Sequence, residues 1–405
     1  MFPDHLVIIG GGRWARVYIE TVIKILPSDT LISINTEKNV KGMNVWAEKL
    51  CLQNRLKISN KLPDLKKNKN NAVIISNAAK DHARFVKWGI EKKAKILVEK
   101  PLALNFNIAS QLAELAKKDN VYLASAHVFN FSESIKSLKN LLGKDDSIKS
   151  INITWSDCTS EIRYGDKKTF DPSLTVLEDV FPHIFSIFNV ITKLKKWTYK
   201  PGNLKFLRGG SKLKASLLIN NILCSFEVMR NSKARKRIIK IYTNRGFIKL
   251  NFSGEKDIFS SDYLKNYLKN YLKNTGGVGS LSRMISYFFK YSTHQKVKNL
   301  LDVRESLLAI KIIECISVDY YLSKYRWLAK EILKNDKKNI NISYALREMI
   351  EKRKTNSNLI TAKIIYSIHV LIKREIFSLK NSIKLNKVEN FFDSILDRNK
   401  LDLFL

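Results

Sequence analysis

Thirteen residues near the start of the chain, Leu6-Val7-Ile8-Ile9-Gly10-Gly11-Gly12-Arg13-Trp14-Ala15-Arg16-Val17-Tyr18, constrain its fold more than any other stretch. A short apolar run ends in glycines and an amphipathic segment follows at once, which is how a buried strand turns sharply into a helix. The small residues fall as Gly10-x-Gly12-x-x-Ala15. Gly10 allows the tight turn, Gly12 lets a pyrophosphate approach the backbone, and Ala15 lets the new helix pack on the strand. The free N–H groups of the helix start then face the phosphates. A second apolar run, Leu31-Ile32-Ser33-Ile34-Asn35, comes about twenty residues on, the spacing of a dinucleotide-binding unit.

The first half continues to alternate. Helices are expected over Arg13–Leu26, Asn44–Leu52, after Ala78-Ala79-Lys80-Asp81-His82 to near Lys93, and over Asn105–Lys118. Strands are expected at Leu56–Ser59, Ala72–Asn77, Lys95–Glu99 and Val121–Ala126. The unbroken apolar run Ala72-Val73-Ile74-Ile75 is that of a parallel strand covered on both faces. Ligands in such sheets sit beyond the carboxyl ends of the strands, where Asn35, Asn77, Glu99, Lys100 and His127 fall. Asn35 stands where a site that prefers NAD usually has a carboxylate. It does not repel a 2′-phosphate, and Lys38 can pair with one, so NADP is favoured modestly over NAD; Glu37 is the alternative ribose ligand.

A chain of 405 residues can bury a large core and hold two or three domains. The start lacks a basic segment before its short apolar run, so no secretory leader is expected. The longest apolar run of the tail, Ile364 to Ile372, is about half the length needed to cross a bilayer. Cys51, Cys158, Cys224 and Cys315 lack metal-ligand spacing and are read as buried free thiols of a cytoplasmic protein. The net charge of +35 is spread over the whole chain and is mostly Lys, which argues against a specific nucleic-acid site while favouring anionic partners. Local basic runs such as Lys233-Ala234-Arg235-Lys236-Arg237 are read as solvated loop faces.

Gly10-x-Gly12-x-x-Ala15, Ala79-Lys80-Asp81-His82 and above all Glu99-Lys100-Pro101-Leu102-Ala103 resemble the Gfo/Idh/MocA oxidoreductases. The resemblance is strong over the first 130 residues and loose to about Tyr325. It implies an α/β chain with an N-terminal Rossmann NAD(P)-binding domain (1–130). It also implies an α+β substrate and oligomerisation domain (131–325) with an open, mainly antiparallel sheet. A helical extension (326–405) follows. Strand candidates at Ser150–Ser156, Leu213–Ile219, Ile222–Met229, Arg237–Thr243 and Phe247–Phe252 fit that second domain. Beyond Gly254 the chain reads as helix. This includes a period-four Tyr/Leu repeat through Asn274, a closing helix at Arg304–Tyr321, and helices at Trp327–Leu333, Ile342–Glu351 and Leu359–Leu379 with a short piece at Phe391–Leu396.

Members of the family often carry Asp-x-Gly-x-His-x-x-Asp where this chain has Asp179, Phe181, His183 and Ser186. The resemblance implies Lys100, His183 and Asp179 as catalytic residues. Cofactor contacts are expected at Gly10, Gly12, Arg13, Trp14, Ala15, Asn35, Lys38, Asn77, His82, Glu99 and Lys100, and substrate contacts at Lys100, His127, Asn130, Asp179 and His183, with no metal; relatives often have Arg near Asn130, and Arg163 is read either as a clamp for a carboxylate or phosphate or as part of a structured surface loop. Pro182 is more comfortable in the first turn of a helix, which would leave Asp179 just outside it. The activity implied is NAD(P)-dependent hydride transfer to or from a small polyhydroxy or sugar-derived, anionic substrate, by a homo-oligomer without a transmembrane segment. Three alternatives stand beside it: a dinucleotide-binding regulator or scaffold that has lost catalysis, a reductase of a non-sugar imine or ketone, and a nucleic-acid or membrane-surface binder.

Overall fold

The structure is a computed structural model, and it describes residues 2–66, 70–143, 146–158, 162–163, 166–167, 176–192, 205–207, 212–219, 221–254, 257–264, 278–291 and 299–316. Strands β1 (His5–Ile9), β2 (Leu31–Asn35), β3 (Leu56–Ser59), β4 (Asn71–Ile75), β5 (Lys95–Val98) and β6 (Leu123–Ser125) form one parallel sheet in the order β3-β2-β1-β4-β5-β6. The order reverses direction between β1 and β4, and a crevice opens there at the carboxyl ends.

The strands alternate their apolar residues between two buried layers. Leu6 and Ile8 of β1 meet Tyr18, Ile19 and Val22 of α1 (Arg13–Ile23). Val7 and Ile9 meet Phe85, Val86 and Ile90 of α3 (His82–Glu91) and Leu112 of α4 (Phe106–Lys118). Helix α2 (Val40–Lys49) follows β2, beginning four residues before the expected Asn44. The last helix of this domain's outer layer comes from far along the chain. α7 (Val278–Lys290) packs Met284, Ile285, Phe288 and Phe289 on the Leu6 side.

Helix α5 (Glu133–Asn140) leads into the second sheet. There β7 (Ile148–Cys158), β10 (Lys205–Leu207), β11 (Lys212–Ile219), β12 (Ile222–Ser232), β13 (Lys236–Thr243), β14 (Gly246–Asn251) and β15 (Ile258–Ser261) take the order β10-β11-β12-β7-β13-β14-β15. Every pair is antiparallel except β12 with β7. A separate two-stranded ribbon pairs β8 (Ile162–Arg163) with β9 (Asp166–Lys167). The inner face of the large sheet, carrying Ile151, Ile153, Phe226, Ile239 and Ile241, is covered by Phe181, Ile184, Phe185 and Phe188 of α6 (Val176–Thr192). Each fully buried side chain of this size contributes about 2 kcal/mol. Residues 303–316 form α8, which packs Ile310 into a core of the first sheet and Ile312, Ile313 and Ile316 into that of the second.

The α/β architecture follows the expectation, while three details differ. The segment after Gly254 contains strand β15, because Phe259 and Ser261 alternate inward against β14. Cys224 is buried, with its thiol pushed up to about 12 by burial, but Cys51 is exposed and Cys158 and Cys315 are half-buried. Arg237 of the basic run is buried, because in a strand Lys236 and Arg237 point to opposite faces. Residues 265–274 of the period-four repeat and all helices expected beyond 316 lie outside the described residues. Among the described residues no helix is long and apolar enough to cross a membrane.

Candidate active site

At the crevice, the N–H of Gly10 donates to the Asn35 carbonyl at 2.9 Å, closing the turn after β1. Gly10 has a φ of +138°, and a Cβ there would lie 2.9 Å from Ser76 Oγ. A Cβ on Gly11 would lie 2.1 Å from Thr36 Oγ1, whereas one on Gly12 would meet nothing within 4 Å. So Gly10 and Gly11 serve the fold, and Gly12 faces open space. Gly12 is also the N-cap of α1, which has no side-chain cap and no acidic residue in its first turn. The helix therefore presents uncompensated N–H groups and positive dipole to that space. Ala15 is fully buried against the sheet, Trp14 is 43% exposed in the same turn, and the Arg13 guanidinium lies 5.9 Å from the Trp14 ring centre.

Asn35 Nδ2 and Asn77 Oδ1 are buried polar atoms without a partner among the described residues. Orphaned polar atoms beside an open helix start are what a bound dinucleotide would satisfy, and the residues present fit one. Behind them, the ring nitrogens of His82 meet the carbonyls of Pro101 (2.7 Å) and Asn77 (3.1 Å), tying the loop after β4 to the loop after β5. The Tyr18 hydroxyl donates to Glu99 at 2.6 Å, and the Lys100 N–H to the other carboxylate oxygen at 3.2 Å. Burial and the Glu99 charge hold the Tyr18 hydroxyl far above its ordinary range, so it stays a donor. Glu37 is paired with Arg84 at 2.8 Å, and Lys38 is exposed beside it.

The side chain of Lys100 crosses from the end of β5 to α6. Its Nζ donates to the Asp179 carboxylate at 2.9 Å and to the Asp179 carbonyl at 2.6 Å. The Lys100 side chain is 11% exposed and that of Asp179 25%, so the pair is reachable but largely dry. Contrary to expectation, Pro182 lies inside α6 and Asp179 is part of the helix. Pro182 cannot donate to the carbonyl of residue 178, so the turn is loosened there, and the next carbonyl turns to the Lys100 ammonium. Asp179 and His183, one turn apart, thus share the face that Lys100 approaches.

The His183 ring stacks on Trp155 (centroids 5.7 Å apart, planes at 16°) and takes the edge of Phe129 at 5.2 Å. Ser186, which replaces a family carboxylate, donates to the His183 carbonyl at 2.8 Å, and Phe181 packs into the core. Burial and then the Lys100 charge hold the His183 imidazole well below the ordinary 6.5; Arg237 and His127 push the same way, Asp179 the opposite way. Burial likewise lowers His127, against the pull of Glu305 and Asp302.

Each of these two histidines takes up a proton more readily in the unfolded chain. Stability is therefore complete above the unfolded value and is lost as pH falls below it. The thermal midpoint is expected to drop between about pH 7 and pH 5, and less so in His127→Gln/His183→Gln. A flat or rising midpoint over that window in the native protein would contradict this account.

Not every expected residue joins Lys100. His127 is buried at the domain seam, 3.4 Å from Ser306 Oγ of α8. Asn130 donates to the Leu300 carbonyl (2.7 Å) and to Glu305 (3.1 Å). Arg163 lies in β8, and its side chain is outside the described residues. Conversely, Tyr18, Phe129, Trp155 and Arg237 line or support the site. The signal for Tyr18 was its place on the buried stripe of α1, and for Trp155 and Arg237 their inward phase on β7 and β13.

The family described as an oxidoreductase family with an NAD-binding Rossmann fold (GFO_IDH_MocA) matches residues 5–127. No curated protein matches the chain by sequence. Among solved structures, the dehydrogenase MviM of Clostridium difficile is 17% identical with a TM-score of 0.57, over 77% of this chain and 98% of that one. Biliverdin reductase of Synechocystis, solved with biliverdin and NADP+, is 14% identical with a TM-score of 0.56, over 78% and 98%. A super-repressor mutant of Gal80p from Saccharomyces cerevisiae is 17% identical with a TM-score of 0.57, over 78% and 95%. At such identities these three share the fold. The family match covers the glycine turn and the Glu99-Lys100-Pro101 strand end, so residues 5–127 match the NAD-binding Rossmann domain of the Gfo/Idh/MocA oxidoreductase family.

Proposed function

We propose that this chain is an NADP-preferring oxidoreductase acting on a small polyhydroxy or sugar-derived substrate, a cytoplasmic homo-oligomer by the same reading. The observation that carries it is the Lys100–Asp179 pair at 2.9 Å, held at a Rossmann strand end with His183 one turn away. The nicotinamide, when bound, supplies the hydride chemistry. The protein handles the proton and the orientation. The Lys100 ammonium, aimed by both Asp179 oxygens, hydrogen-bonds the reacting substrate oxygen and stabilises negative charge on it. His183, neutral at physiological pH, accepts the hydroxyl proton when an alcohol is oxidised and returns it when a carbonyl is reduced. Gly12 and the open start of α1 take the pyrophosphate. The Glu37 carboxylate is paired with Arg84 Nη2, which leaves Asn35, Lys38 and the other N–H groups of Arg84 to hold a 2′-phosphate.

Titration of the purified protein with NADPH and NADH, followed by nicotinamide fluorescence, tests this reading. Micromolar binding is expected, tighter for NADPH, with the gap narrowed in Arg84→Ala. Tighter NADH binding would assign the ribose to Glu37. Binding of neither would favour a second reading, a regulator that has lost catalysis, which the Gal80p fold likeness and the Phe181 and Ser186 replacements support.

A further inference from the structure

Beneath the reacting groups lies a stack that the proposed chemistry does not use directly. Arg237 of β13 pairs across the sheet with Trp155 of β7, and its guanidinium carbon lies 3.8 Å from the Trp155 ring centre. The guanidinium is itself fixed. It ion-pairs with Asp157 and donates to the Ser156 carbonyl at 2.6 Å, and both charged residues are almost fully buried. Trp155 in turn stacks on His183, and Phe129 closes on His183 edge-on. The family carboxylate that would follow His183 is Ser186 here, and its hydroxyl is turned to the backbone. Rings therefore hold this imidazole.

We propose that Arg237 is a positioning residue for the reaction, holding the His183 imidazole in one orientation through the Arg237–Trp155–His183 stack. The inference rests on the reading of His183 given above. A guanidinium over an indole face is attracted by the ring quadrupole, and more strongly where water is excluded. The Asp157 pair stops the guanidinium from swinging away, and its planar fork keeps the indole flat beneath it. Charged and titratable groups facing His183 come from four elements: Lys100 after β5, Asp179 on α6, Arg237 on β13, and His127 at the end of the first domain. Arg237 is a cation set on the sheet side, so its removal changes both what the ring leans on and the charge it feels.

The test is an NMR titration of the full chain labelled in its histidine rings, with the His183 signal assigned by His183→Gln. Arg237→Met keeps an unbranched apolar stem of similar girth and removes the guanidinium and its charge. It is expected to move the His183 titration upwards and to shift or broaden its ring signals, while leaving the His82 ring signals in place. Arg237→Met strands the Asp157 carboxylate, so Arg237→Met/Asp157→Asn is measured beside it as the variant expected to fold. Trp155→Leu keeps the ion pair and breaks the stack, and is expected to broaden the ring signals in the same way. A folded Arg237→Met/Asp157→Asn protein whose His183 titrates and resonates as in the native chain would overturn the proposal. NADPH titration of the same samples separates the two claims. Failure of the native protein to bind cofactor sinks the enzymatic reading, whereas an unmoved His183 in a cofactor-binding variant sinks only the role of Arg237.

Discussion

Lys100→Ala is expected to reduce turnover by about a thousandfold or more while changing NADPH affinity by only a few fold. The measurement uses whichever polyhydroxy compound a screen of NADP+ reduction identifies. The split follows from the geometry. Lys100 Nζ reaches from the end of β5 to α6, and its partners there are the two Asp179 oxygens. On the proposed mechanism its loss removes the ammonium from the reacting oxygen and leaves the Gly12 end untouched. Stability is expected to change little, because a carboxylate that is 25% exposed regains water when its partner goes. Lys100→Ala that keeps its turnover would remove Lys100 from the mechanism. One that unfolds would make the pair a structural strut between the domains.

The second large effect contrasts two glycines of one turn. Gly10→Ala is expected to destabilise the fold by about 3 kcal/mol, measured by chemical denaturation. Its φ of +138° is closed to a residue with a side chain, and the new Cβ would press on Ser76 Oγ and on backbone 3.1 Å away. Gly12→Ala is expected to leave stability within about 0.5 kcal/mol, since nothing lies within 4 Å of its Cβ, yet to weaken NADPH binding at least tenfold. The open space beside Gly12 is the volume assigned to the pyrophosphate. Equal effects of the two substitutions on stability, or undiminished cofactor binding by Gly12→Ala, would mean that this space has another use.

Much of the first domain could be read locally. A buried strand, a glycine turn and an amphipathic helix are each written within about a dozen residues, and their sequence order dictates a right-handed parallel sheet. The same holds for the strands over 212–251, where apolar residues alternate and hairpin turns separate them. Proline was misleading at 182. The cost of a proline inside a helix is real, but α6 offsets it with a face of Phe181, Ile184, Phe185 and Phe188 buried on the sheet, and the local rule lost to that burial.

What the sequence determined by itself was the Rossmann half, the residue types at its strand ends, and the mainly antiparallel character of the second sheet. Period and turn chemistry are local, so one chain suffices to show them. Only the tertiary structure decided that Lys100 meets Asp179, 79 residues along the chain, that Arg237 is a buried partner of Asp157 rather than a solvated cation, and that α7 returns from residue 278 to cover the first sheet. Such pairings depend on which faces meet when distant elements pack. A basic residue or an apolar stripe carries no record of its partner until the chain closes on it.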